Sequence, residues 1–83
     1  MNFAFVIGKI EKIDGGLIYI KNEPPFYADM KIEKEFCLPI CVNPQIFKRD
    51  YEIFKSGLLV SIKCRIELEN SLIKLVAERI NYF

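Results

Sequence analysis

Eighty-three residues make one domain with a single small core and little surface-to-volume margin. Hydrophobic residues are 52% of the chain and no Gly-, Ser- or charge-rich tract interrupts them, which excludes a disordered class and predicts order nearly end to end. Twelve Lys and Arg against eleven Asp and Glu leave a net charge of +1, so a binder of duplex DNA through many phosphates is not expected and any nucleic-acid role rests on how the charges are distributed.

No apolar run approaches the roughly 18 residues of a membrane span, and the N-terminus lacks the basic flank and cleavage site of a signal peptide. A cytoplasmic protein is expected, with no membrane partner. Three cysteines are an odd number for a disulfide framework and histidine is absent, which points to reduced thiols. Cys37 and Cys41 invite a metal reading, but residues four apart on a strand sit about 13 Å from each other. They read as buried, small apolar cysteines, and neither a metal nor a cofactor is expected.

In chain order, Asn2 to Ile13 begins apolar on both faces and alternates after Gly8, where Lys9 and Glu11 oppose Ile10. This predicts a long first strand that bends at Gly8. Asp14-Gly15-Gly16 is a tight turn, since successive glycines accept positive φ. In the second strand, Leu17 to Lys21, Ile18 and Ile20 share one side, and Leu17, Tyr19 and Lys21 share the other. Pro24-Pro25 stops the ladder and places Phe26, Tyr27 and Lys31 in a loop. The two rings there either fold onto the core or offer a stacking surface. Strand character resumes from Glu33 to Val42, with Phe36, Leu38 and Ile40 on one face, and Pro39 marks an edge or a bulge.

Asn43-Pro44 is a helix start, a capping side chain followed by proline at the first helical position. Phe47, Tyr51 and Phe54 then recur at helical spacing with Ile46 and Ile53 beside them, Lys48, Arg49, Asp50, Glu52 and Lys55 fill the polar face, and Gly57 ends the helix. Beyond it lies the clearest alternation in the chain. Leu58, Val60, Ile62, Cys64, Ile66 and Leu68 form a core face, and Leu59, Ser61, Lys63, Arg65, Glu67 and Glu69 face outward. Asn70-Ser71 reverses the chain into a last strand where Ile73, Leu75 and Ala77 share a side before Val76 and Ile80 blur it, the mark of a bulge or of two covered faces. The fold class is all-β with one short helix: a five-stranded OB-fold barrel, residues 1–83, with the helix between strands 3 and 4.

No Gly-rich phosphate loop or Ser/Cys/His arrangement is present, and the carboxylates fall on predicted solvated faces. An enzyme is not expected, and no residue is assigned a catalytic role.

Three segments add a resemblance. Met1-Asn2 with the apolar run to Ile7-Gly8, the segment Lys55 to Ile66, and the ending Leu75-Val-Ala-Glu-Arg-Ile-Asn-Tyr-Phe83 resemble, in order and spacing, the start, fourth strand and last strand of bacterial single-stranded DNA-binding proteins. The similarity covers about half the chain and the core barrel alone. Cys64 stands where that family has glycine, no tryptophan is present to stack bases, the hairpin between the last two strands is cut to Glu69-Asn70-Ser71, and no acidic tail follows Phe83. In extent the chain is comparable to the tail-less primosomal replication protein B branch. The resemblance implies binding of single-stranded DNA with little sequence preference in replication, recombination or repair, with replication proteins as a further class of partner.

In that mechanism cations follow the phosphates while rings accept bases, at about 1 to 3 kcal/mol per base. The outward residues that would do this are Tyr19, Lys21, Lys63 and Arg65, joined by Phe26, Tyr27 and Lys31 from the loop. Phe3, Phe5 and Ile7 lie on one face of the first strand and Ala4 and Val6 on the other, so a homodimer or higher oligomer through that strand is expected, and the resemblance implies that it pairs with its copy across a two-fold axis. Two alternatives use the same residues: an OB adaptor that binds protein through exposed rings and is indifferent to salt, and an RNA-binding OB module.

Overall fold

A computed structural model describes residues 2–22 and 37–83. The elements are β1 (Phe3–Asp14), β2 (Leu17–Asn22), β3 (Cys37–Cys41), α1 (Pro44–Lys55), β4 (Leu59–Glu69) and β5 (Leu72–Tyr82). The strands close into an OB-type barrel in the order β1-β2-β3-β5-β4, with α1 between β3 and β4 as the sequence predicts. Phe26, Tyr27, Lys31 and the first part of the predicted third strand lie outside the described residues.

Closure depends on β1 serving two neighbours. Residues Phe3 to Lys9 pair with β4, and Gly8 to Asp14 pair with β2, so the strand turns from one partner to the other at Gly8. A Cβ on Gly8 would collide with the Lys21 carbonyl oxygen and the Ile20 side chain. Glycine is required there by the close approach of β2, not by a left-handed backbone. Just beyond, the register slips between Ile10 and Lys12. This bulge at Glu11 sends Ile13 toward Ile18 and turns Lys12 outward opposite Tyr19.

The barrel interior is filled by Ile10, Ile18, Ile20, Ile40, Val60, Ile62, Cys64 and Ala77, and α1 closes one end with Phe54. Each buried isoleucine contributes roughly 1.5–3 kcal/mol relative to exposure. Phe54 meets the rings of Phe47 and Tyr82 at centroid distances of 5.7 and 6.4 Å. The helix starts as predicted, the Asn43 side-chain oxygen accepting from the Gln45 N–H at 2.7 Å. Burial pushes the Cys64 thiol up to about 11, so it remains a neutral, apolar filler. Pro39 fits an edge: β3 pairs along its length with β2 but meets β5 only at Cys41 and Val76.

Three expectations change. Leu58 and Leu68, read as core by alternation, are exposed, and so is Ile73: Leu58 lies before β4 begins, and at Leu68 and Ile73 both arms of the β4–β5 hairpin continue past the barrel rim. Asp50, read as solvated, is buried: the Tyr82 hydroxyl donates to one carboxylate oxygen, and Arg49 donates to both at 2.9 and 3.1 Å. Cys37, read as buried, is exposed, and Cys41 is only partly buried. The bulge foreseen in the last strand is present, at Glu78 opposite Lys63 and Cys64.

Candidate functional site

The outward residues form two surfaces on either side of the β1 bend. On the first, β1 and β2 place Lys9 directly opposite Lys21 and Lys12 opposite Tyr19, while the alternate positions Ile10, Ile18 and Ile20 are buried. The predicted register of β2 is therefore the observed one. The Lys12 ammonium stands 4.7 Å from the centre of the Tyr19 ring, a cation–π contact of about 0.5–1 kcal/mol at an exposed site. Across β2, Cys37 lies opposite Lys21 and Pro39 opposite Tyr19.

This surface runs into a groove between β2–β3 and the protruding hairpin, walled by Leu17, Pro39, Cys41, Ile73 and Leu75 together with the Lys74–Glu69 ion pair at 3.1 Å. Besides the Lys74–Glu69 pair, groove and lysine face together give three lysines, one aromatic ring and an aliphatic trough. That combination suits a flexible polyanion with flat apolar groups better than a compact anion.

The second surface is the outer side of β1–β4–β5. Its rows are Lys9, Leu59 and Phe83; Ile7, Ser61 and Asn81; Phe5, Lys63 and Arg79; and Phe3, Arg65 and Val76. Phe5 is 73% exposed and Ile7 60%, so these two of the apolar residues expected at an interface are presented to solvent, while Phe3 is partly buried. Lys63 and Arg65 lie here, not beside Tyr19 and Lys21. The Lys63 ammonium sits 4.4 Å from the centre of the Phe3 ring. Arg65 pairs with Glu67 at 2.7 Å and Glu78 at 3.3 Å, which hold its guanidinium above its ordinary pKa, Glu67 foremost.

The structure thus joins Tyr19 and Lys21 with two lysines, Lys9 and Lys12, that the sequence reading left unassigned. Among the described residues neither of these two enters an ion pair. The signal for Lys12 was the spacing of Ile10 and Ile13, three apart and both core-facing, which requires an extra residue in the strand. No protein-family model, curated protein or solved structure matches this chain.

Proposed function

We propose that this protein binds single-stranded DNA with little sequence preference, as a barrel of the single-stranded DNA-binding kind acting in replication, recombination or repair. The observation that carries the reading is the cluster Lys9, Lys12, Lys21 and Tyr19 on the outward side of a strand pair whose other side is solid isoleucine. Opposite positions on a sheet are about 5 Å apart at Cβ, so the register concentrates positive charge beside a ring that accepts a base. Phosphates meet the lysines, bases stack on Tyr19 and lie along the aliphatic groove, and the charged face slides without reading base edges. The three unbridged cysteines suit a reducing cytoplasm.

Self-association belongs to the same proposal. The outer β1–β4–β5 surface pairs with its copy through Phe3, Phe5 and Ile7, with the Lys9, Leu59 and Phe83 row at its margin, leaving Lys12, Lys21 and Tyr19 clear. A second reading, a protein-binding adaptor, is favoured by the aliphatic hairpin, where Leu68, Leu72 and Ile73 are each more than 70% exposed.

Competition between oligo-dT, matched oligo-rU and duplex DNA separates the readings. Oligo-dT should displace a labelled single strand best, and Tyr19→Ala should weaken it by about 1 to 3 kcal/mol with the fold retained. Preference for oligo-rU assigns the face to RNA. Displacement by none of the three leaves the adaptor.

A further inference from the structure

Tyr51 stands near the middle of α1 and is 41% exposed, whereas Phe54, on the same aromatic face, is 1% exposed. Its ring leans on Phe47 at 5.6 Å between centroids, and the Lys55 ammonium lies 5.5 Å from its own centre. A cleft opens on either side of it. One is walled by Val42, Pro44, Phe47 and Lys48, the other by Lys12, Ile13, Phe54 and Lys55, with Glu11 as its one acid. Among the described residues Lys48 and Lys55 enter no ion pair and the Tyr51 hydroxyl has no hydrogen-bond partner.

Lys12 belongs to both neighbourhoods. Its ammonium rests on Tyr19, and the same residue walls the cleft beside Tyr51. The bulge at Glu11 sets this position, since without the slipped register Lys12 would point into the barrel. A ring flanked by lysines is therefore repeated, first on β2 and then on α1, with one lysine between the two.

We infer that a bound single strand of DNA leaves the β1–β2 face over the Glu11 bulge and crosses helix α1, where Tyr51 is a second base-stacking ring and Lys55 and Lys48 receive phosphates. This rests on the single-strand reading above and adds an exit path to it. The site is part of a longer track, so a strand too short to pass Lys12 gains nothing from it. OB folds occupy about 4 to 16 nucleotides, which leaves room for both rings.

The test compares oligo-dT of about 5 and about 15 nucleotides, near the two ends of that range. Wild-type protein should bind the longer strand more tightly. Tyr51→Leu should weaken it about 5- to 150-fold, the equivalent of one stacked base, and so remove most of the length advantage. Tyr51→Phe should retain it, and Lys55→Glu, on an exposed side chain that leaves the fold intact, should reduce it. A 15-mer carrying 5-iodouracil should crosslink the unaltered protein within α1 as well as at β2. Wild-type length dependence preserved in Tyr51→Leu and Lys55→Glu, with crosslinks absent from α1, would overturn the path while leaving the Tyr19 site standing. Failure of wild-type protein to bind either strand would remove the single-strand reading and the path with it.

Discussion

Gly8 is the residue on which barrel closure turns, because the β2 backbone occupies the space a side chain would need. Gly8→Ala should cost about 1–3 kcal/mol or more, as overpacking against backbone does, and the denaturant midpoint measures it. A midpoint equal to wild type would mean that β1 bends elsewhere. Asp50 poses the opposite problem, a charge that the fold buries. Arg49 and, less strongly, Tyr82 hold its carboxyl below the ordinary 3.8 against the opposing effect of burial. A group that ionises more readily when folded stabilises the fold above its unfolded pKa and loses that contribution as pH falls through the lower folded value. Tyr82→Phe removes a hydrogen bond to a charged acceptor, worth roughly 1.5–3 kcal/mol. It should lower stability at neutral pH and move the acid-unfolding midpoint upward, followed by circular dichroism from pH 6 to about 2. An unshifted acid transition would show that Arg49 alone stabilises the carboxylate.

At the scale of elements, the β4–β5 turn is the least well matched to its sequence. Asn70 and Ser71 both adopt positive φ, 52° and 67°, the form of a two-residue hairpin that favours Asn-Gly. Ser71→Gly should therefore raise stability by about 1 kcal/mol, relieving a left-handed residue with a side chain. A loss of stability on thermal unfolding would place the gain in some contact of the Ser71 side chain instead. The strands themselves were legible wherever one face is buried: Ile18 and Ile20 fixed the register of β2, and Val60, Ile62 and Cys64 that of β4. Periodicity failed where the burial of a strand changes along its length. Leu68 and Ile73 keep the core-facing parity after the barrel beneath them has ended, and the Glu11 bulge resets β1 so that Lys12 faces out. It also failed for Asp50, whose partner Tyr82 is 32 residues away and invisible to any local pattern. The candidate site was legible to the same degree. Tyr19 and Lys21 follow from alternation, but alternation gives only inward or outward. The bend at Gly8, a property of topology, assigns Lys63 and Arg65 to a different outward surface.

For the whole molecule, the roles proposed for the two surfaces can be tested separately. If the outer β1–β4–β5 surface joins two copies, Ile7→Lys should shift sedimentation toward monomer at tens of micromolar while the barrel stays folded, since Ile7 is well exposed in the single chain. A wild-type protein that is already monomeric there would reject that interface. Binding of single strands is the central claim, and the distribution of charge makes it quantitative. Lys9, Lys12 and Lys21 lie on the proposed face, with Lys48 and Lys55 along its extension, and each phosphate neutralised on a single strand contributes about 0.7 to the slope of log affinity against log salt. The decisive measurement is an equilibrium titration of labelled oligo-dT across a series of salt concentrations, with duplex of the same length alongside. The account predicts saturable binding at low salt, a slope of about −2 to −3.5 and weaker binding of the duplex. No binding at low salt, or affinity that ignores salt, would contradict it.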